Sequence, residues 1–115
     1  MKIEFSQLQF AVTQAMYEAF CNKTLSTEEI SVDYFAGRIT KNIGEQDVIP
    51  RIGEHICDSF WDRDHPEQKV IDICYFYDDD CCTVYLEPYV FLSGCTLHQE
   101  LQRIAELHGW EYHQL

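Results

Sequence analysis

The sequence predicts an α+β domain, and three features lead to that fold class. Apolar residues recur at three- and four-residue spacing in several segments, the spacing changes to two after residue 68, and the helix-capping patterns "STEE" and "TLHQ" both occur. The 115 residues contain no repeat, low-complexity stretch or linker, so a single domain over 1–115 is expected. A small antiparallel sheet packed with helices accommodates both spacings.

Four helices are predicted, at residues 7–22, 27–36, 48–62 and 97–108. Ser6 can cap the first helix, and Ser26 with Glu29 fits a capping box at the start of the second. Thr96 and Gln99 fit a capping box at the start of the fourth. The second segment also alternates apolar and polar residues, so a strand remains an alternative there.

A β-hairpin is predicted from strands at 69–77 and 82–92, with Asp79 and Asp80 as its central turn residues. This register pairs Asp72 with Glu87 on one face. The other face is assigned to the core and contains Ile71, Ile73, Tyr75, Tyr77, Val84 and Leu86. The tail at 110–114 is compatible with a third strand. The predicted sheet is therefore antiparallel.

Charge is the strongest global signal, because twenty Asp and Glu against eight Lys and Arg give a net charge of −12. Nine of the acids lie between Asp58 and Glu87, together with two bases. Such a field repels nucleic acid and anionic membranes, and it attracts basic protein surfaces from a distance. Direct nucleic-acid binding is therefore disfavoured. An acidic surface that only keeps the protein soluble is the alternative explanation.

Exposed carboxylates beside aromatic side chains suit a partner that presents Arg and Lys. On this basis ten residues are predicted to bind a basic partner: Asp62, Asp64, Glu67, Asp72, Asp78, Asp79, Asp80, Tyr85, Glu87 and Tyr89. The function predicted from these residues is inhibition by occlusion of a nucleic-acid-binding protein surface. Phage anti-defence proteins (anti-CRISPR or anti-restriction) and immunity proteins against nuclease toxins share this small, acidic profile. The anti-defence role is favoured over the immunity role.

No catalytic residues, cofactor or metal are predicted. Six cysteines are expected to be free thiols, because the core is large enough to fold without staples: Cys21, Cys57, Cys74, Cys81, Cys82 and Cys95. Three disulfides are the weaker interpretation of these cysteines. A zinc site built from His55, Cys57, His65, Cys81 and Cys82 is a further alternative, and it would make the chain a metal-binding or enzymatic domain. The spacing opposes it, because adjacent cysteines in a strand point to opposite faces. Cys95 near His98 is a generic nucleophile pair.

The amino terminus has no apolar segment typical of a signal peptide, and no apolar run approaches the length of a membrane span. A cytoplasmic location is therefore expected. A homodimer formed through the aromatic sheet face remains a third hypothesis.

Overall fold

Seven β-strands joined in one mixed sheet form most of the regular secondary structure. The computed structural model describes residues 1–64 and 66–114. The strands are β1 (Lys2–Val12), β2 (Phe35–Glu45), β3 (His55–Cys57), β4 (Glu67–Phe76), β5 (Cys81–Leu86), β6 (Tyr89–Leu92) and β7 (Glu111–His113). The α-helices are α1 (Gln14–Cys21), α2 (Thr96–Gln99) and α3 (Leu101–Leu107), and single 3₁₀ turns cover Thr27–Glu29, Val32–Tyr34 and Tyr77–Asp79. The predicted fold class is wrong. The described chain is mostly β, and it lacks the four helices expected around a small antiparallel sheet.

β1 is central in the sheet, whose strand order is β3-β4-β5-β1-β2-β7. β2 runs antiparallel to β1 on one side, whereas β5 and then β6 run parallel to β1 on the other. β5 pairs with residues 2–6 and β6 with residues 9–12, so these two strands are halves of one interrupted strand. The interruption falls at Glu87 and Pro88, and proline has no N–H to donate to a sheet.

The main core lies on one face of the sheet. Ile3 and Phe5 of β1 pack there with Val84 of β5, Trp61 and Trp110. A smaller cluster around Phe10 and Val12 lies on the other face, where α1 packs against it. We call the rest of this second face the open face, because no helix of the described chain covers it and side chains such as Leu8 remain exposed.

The helix predicted at 7–22 is wrong over residues 7–12, which belong to β1. Its helical part begins after Thr13, whose hydroxyl accepts a hydrogen bond from the Met16 N–H, so Thr13 rather than Ser6 is the cap. The error has a physical cause. β1 is covered on both faces near its end, and a strand buried on both faces reads as a continuous apolar run that also contains helical spacing.

The helices predicted at 27–36 and 48–62 are absent from the described chain. The first segment forms two 3₁₀ turns followed by the start of β2, although the Glu29 carboxylate does accept the Ser26 N–H at 3.1 Å. In the second segment Val48 is 80% exposed and Ile52 is 62% exposed, so their four-residue spacing does not mark a buried stripe. β3 and irregular loops occupy this segment.

The hairpin and the carboxyl-terminal elements are closer to the prediction. β4 and β5 pair antiparallel, but the register is shifted by two residues, so Asp72 lies opposite Tyr85 rather than Glu87. The helix predicted at 97–108 is divided at Glu100 into α2 and α3. Its cap is Cys95, whose sulfur accepts the His98 N–H, rather than Thr96. A strand does form in the tail, as β7, but it pairs with β2 and not with the hairpin.

Gly37 in β2 allows a close contact with Tyr112, and mutation of this glycine should therefore have a large effect on stability. Its φ is +142°, and an added Cβ would lie 2.9 Å from Cζ of Tyr112 in β7. The Tyr112 hydroxyl donates to the Ala36 carbonyl at 2.7 Å, which holds the ring over the glycine. We expect Gly37→Ala to lower the free energy of unfolding by about 2–4 kcal/mol in urea denaturation, from strain and overpacking together.

Gly44→Ala is the matched control, because Gly44 also has a positive φ of +76° but has no atom within 4 Å of an added Cβ. Gly44→Ala should lower the free energy of unfolding by only about 1–2 kcal/mol, the cost of placing a residue with a Cβ at a positive φ. Equal losses in the two variants would contradict a specific role for the Tyr112 contact.

Candidate protein-interaction site at the acidic end of the sheet

The three consecutive aspartates form the tip of the β4–β5 hairpin. Asp78 and Asp79 lie in the 3₁₀ turn, and Asp80 follows with φ 49° in the left-handed region that aspartate tolerates. The Asp80 carbonyl accepts the Lys2 N–H at 3.0 Å, which attaches the tip to the beginning of β1. All three aspartates are exposed. The tip therefore presents three carboxylates from a backbone that is fixed to the central strand.

Two further acids, absent from the sequence prediction, lie near this tip because β2 ends at the same end of the sheet. The Glu45 carboxylate contacts the Met1 amino group, and the Gln46 N–H donates to the Met1 carbonyl at 3.0 Å. The hydrogen bond that the Met1 amino group donates to Glu45 raises the pKa of that amino group, and the charges of Asp80 and Asp47 raise the pKa further. We therefore define the acidic end by Glu45, Asp47, Asp78, Asp79 and Asp80.

Three consecutive aromatic residues precede the tip and are exposed. Tyr75 is 43% exposed, Phe76 is 44% exposed and Tyr77 is 78% exposed. The rings of Tyr75 and Tyr77 stack with centroids 5.8 Å apart and an interplanar angle of 9°. We call these three residues the aromatic strip. Tyr75 and Tyr77 thus form one exposed apolar patch, of a kind that is characteristic of interaction sites, and Phe76 is exposed on the opposite face of the strand.

The aromatic strip corrects the predicted burial of the hairpin residues. Tyr75, Tyr77 and Ile71 were assigned to the core, but all three are exposed, whereas Val84 and Leu86 of β5 are buried as predicted. A bulge at Ile71 interrupts the alternation of β4, and the buried cluster along this strand reaches Val70 and the partly buried Ile73. The aromatic residues beyond that point extend past the core.

A shallow pocket of about 430 Å³ opens beside the strip. Phe76 and Asp79 line it from the hairpin, and Lys2, Glu4 and Asn42 line it from the neighbouring strands. Aromatic, anionic and amide groups are thus available within one concave surface, together with the cationic side chain of Lys2. Asp72 and Tyr85 pair with each other across β4 and β5, so they extend the same interaction surface away from the tip.

The remaining predicted residues lie elsewhere. Asp62, Glu67, Glu87 and Tyr89 line a separate groove of about 670 Å³, together with side chains of α1. Several of them have structural contacts. Glu87 accepts the Lys69 N–H at 3.0 Å, Asp62 accepts the Asp64 N–H at 3.0 Å, and Tyr89 packs on Phe60. Burial raises the pKa of Tyr89. Asp64 is exposed and does not line the groove.

The groups considered for zinc or nucleophilic chemistry do not converge in the described residues. No three or more His, Cys, Asp or Glu side chains there could hold a metal ion together, and His65 lies outside the described residues. All six cysteines carry free thiols. The Nδ1 atom of His98 accepts the Gly94 N–H at 2.8 Å, so this nitrogen is not directed at the Cys95 thiol.

No helix in residues 1–64 and 66–114 is long and apolar enough to span a membrane. The chain matches no protein-family model, no curated protein and no solved structure.

Proposed function

We propose that this protein is a small acidic inhibitor that binds a basic, nucleic-acid-binding surface of a partner protein and blocks it. The observation that carries the proposal is the aromatic strip beside the acidic end, where Tyr75 and Tyr77 are stacked and exposed next to three aspartates. Tyrosines supply contact area at low entropic cost, and carboxylates supply directed hydrogen bonds to Arg and Lys. Occlusion of this kind requires no catalytic group.

Electrostatics supports the same partner class. With a net charge of −12, the protein attracts cationic surfaces at long range, and surfaces that hold nucleic acid are cationic. The carboxylates of the acidic end would compete with phosphates for the same Arg and Lys side chains. A phage anti-defence protein acting in the cytoplasm is the role we propose. Neutralisation of a nuclease toxin by an immunity protein is the alternative, which the identity of the partner would distinguish.

The partner can be identified by affinity capture from the native host with elution by increasing salt. We expect a nucleic-acid-handling protein whose bound nucleic acid is displaced by the wild-type protein in a competition assay. A captured protein that keeps its nucleic acid while bound to this chain would contradict occlusion.

Reversing charge at the tip should weaken this binding without unfolding the protein. The test variant is Asp78→Lys, Asp79→Lys and Asp80→Asn, because asparagine tolerates the left-handed backbone at position 80. We expect the association rate with the captured partner to fall by about tenfold or more and to lose most of its salt dependence. Surface plasmon resonance at several salt concentrations measures both, and circular dichroism checks the fold.

A matched control removes the same amount of negative charge elsewhere, at the exposed residues Glu28, Asp33 and Glu106. The variant Glu28→Lys, Asp33→Asn and Glu106→Lys should keep most of the wild-type association rate. If the control slows association as much as the tip variant does, net charge alone explains binding and the acidic end has no special role.

A further inference from the structure

The outer edge of β4 is paired over its first part and open over the rest. β3 pairs with residues 67–69, and the loop before β3 continues the pairing at Val70. The Val70 N–H donates to the Glu54 carbonyl and the Val70 carbonyl accepts the Gly53 N–H, both at 2.8 Å. Beyond Val70, no strand of the described chain pairs with this edge, so residues 71–76 form an open edge segment.

The pairing of β4 with β5 determines which backbone groups point outward from this segment. The backbone N–H and carbonyl of Val70 point outward, and the bulge at Ile71 shifts the alternation by one residue. Ile73 and Tyr75 therefore present their backbone N–H and carbonyl groups at the open edge. One contact agrees with this assignment, because the Ile73 N–H donates to the carboxylate of Asp72 at 2.9 Å. The open edge thus offers a backbone template of strand length.

Open strand edges pair readily with other chains. The open edge of β4 is flanked by charges that favour some partner chains over others. Glu67 precedes the segment and Asp78, Asp79 and Asp80 follow it. Antiparallel pairing of two copies centred on Ile73 would bring the acidic tip of one copy close to Glu67 of the other. Like charges across a strand pair are unfavourable, so the edge disfavours a second copy. The same charges favour a cationic strand.

The side chains of the segment specify the rest of the partner's pattern. Ile73 and Tyr75 lie on the core side of β4, whereas Asp72, Cys74 and Phe76 lie on the open face. A paired strand would therefore place apolar residues beside Tyr75 on one face. On the other face it would place Lys or Arg beside Asp72 and over the ring of Phe76.

We propose that the partner docks by strand addition, in which an extended segment alternating Lys or Arg with apolar residues pairs with residues 71–76. This rests on the proposed function, since it specifies how the basic partner of the acidic end is held. Backbone hydrogen bonds to Ile73 and Tyr75 provide affinity, and the alternation of side chains provides specificity. The Asp72 carboxylate releases the Ile73 N–H on docking and becomes available to a cationic side chain.

A synthetic peptide tests this inference without knowledge of the partner. The probe is the acetylated and amidated heptapeptide Lys-Val-Lys-Ile-Lys-Val-Lys, titrated into isotope-labelled protein and followed by NMR. We expect the amides of Ile73 and Tyr75 to shift and to gain protection from hydrogen exchange. The same peptide N-methylated at residues 2 to 6 keeps its charge and side chains, and it should bind about tenfold more weakly or worse because backbone hydrogen bonds are lost.

A permuted peptide, with its four lysines together followed by its apolar residues, controls for charge and should also bind more weakly. Equal binding of all three peptides, or shifts confined to Asp78–Asp80 without protection of Ile73 and Tyr75, would overturn strand addition and leave only electrostatic attraction. Failure of the proposed function can be distinguished from failure of strand addition. In that case the heptapeptide pairs with β4 as expected, yet the protein displaces no nucleic acid from any captured partner.

Discussion

Replacing Gln7 with leucine should lower the free energy of unfolding by about 4 kcal/mol, which is a large part of the total stability of a domain of this size. Gln7 lies at 1% exposure in the centre of the sheet. Its Oε1 accepts the Trp61 indole N–H at 2.8 Å and the Gln9 amide at 2.9 Å. Its Nε2 donates to Gln68 Oε1 at 3.0 Å and to the Glu87 carbonyl at 2.9 Å. Leucine fills the volume but leaves four groups without this partner, three in buried residues and one, the Glu87 carbonyl, in a half-buried residue.

Gln9→Leu is the informative control, because Gln9 is as deeply buried but poorly satisfied. Its Nε2 donates to Gln7, whereas its buried Oε1 has no hydrogen-bond partner in the described chain. Removing that oxygen offsets the loss of one hydrogen bond, so the cost should be below about 1 kcal/mol. Urea denaturation of both variants measures the difference. A loss in Gln9→Leu as large as in Gln7→Leu would show that buried volume, not the hydrogen-bond network, determines stability here.

Local features of the fold could be predicted from the sequence, and its long-range pairings could not. The hairpin strands, the turn at the aspartates and the contact of Glu29 with the Ser26 N–H depend on residues close together in the chain. By contrast, β1 pairs in parallel with β5, whose residues follow it by about eighty positions. Spacing within one segment contains no information about such a partner, and it therefore predicts a helix over residues 7–12 of β1.

The signals that identify β1 as a strand are nevertheless in the sequence. "KIEFS" at residues 2–6 alternates polar and apolar residues, and Thr13 is a better helix cap than Ser6 because the helical segment begins after it. The two buried glutamines obscure the pattern, since polar residues at core positions break the alternation that marks a strand face. Their burial depends on Trp61, which is distant in sequence.

The candidate site was predictable to the same extent. The hairpin tip is local, so Asp78, Asp79 and Asp80 were assigned to a turn and to the acidic surface, and they are exposed in one turn. Glu45 and Asp47 join them only through the pairing of β2 with β1. The exposure of Tyr75 and Tyr77 required knowledge of where the core ends. Asp62, Glu67 and Glu87 lie at the end of the hairpin opposite the tip, because Asp62 precedes β4, Glu67 begins it and Glu87 follows β5.

Replacing Asp58 with asparagine should have a large effect that depends on pH. Asp58 Oδ2 accepts from Lys41 Nζ at 2.8 Å, and its Oδ1 accepts the Trp110 indole N–H and the Phe60 N–H, both at 3.0 Å. The side chains of Lys41 and Asp58 are only 27% and 15% exposed. At neutral pH Asp58→Asn leaves Lys41 without its anion, and we expect a loss of about 2–3 kcal/mol in the free energy of unfolding.

The pKa of Asp58 gives the direction of the pH dependence. Burial alone would raise this pKa, but the hydrogen bonds from Lys41, Trp110 and the Phe60 N–H outweigh burial and hold it below its ordinary value. A carboxyl group with a lowered pKa stabilises the folded state above its unfolded pKa, near pH 4, and loses that contribution as the pH falls through the folded value. The difference in the free energy of unfolding between wild type and Asp58→Asn should therefore be largest at pH 7 and shrink below about pH 4.

Urea denaturation of both proteins at pH 7, 5, 4 and 3 measures this dependence. Subtracting the free energy of unfolding of the variant from that of wild type at each pH removes the contribution of the other acids, which both proteins share. Glu100→Gln serves as the control, since Glu100 pairs with Arg103 at the surface and exposed pairs contribute little. Its unfolding curve should match wild type at every pH. A loss in Asp58→Asn that is the same at pH 3 as at pH 7 would mean that hydrogen-bond geometry around Trp110, and not the charge of Asp58, connects β2 to the carboxyl-terminal segment.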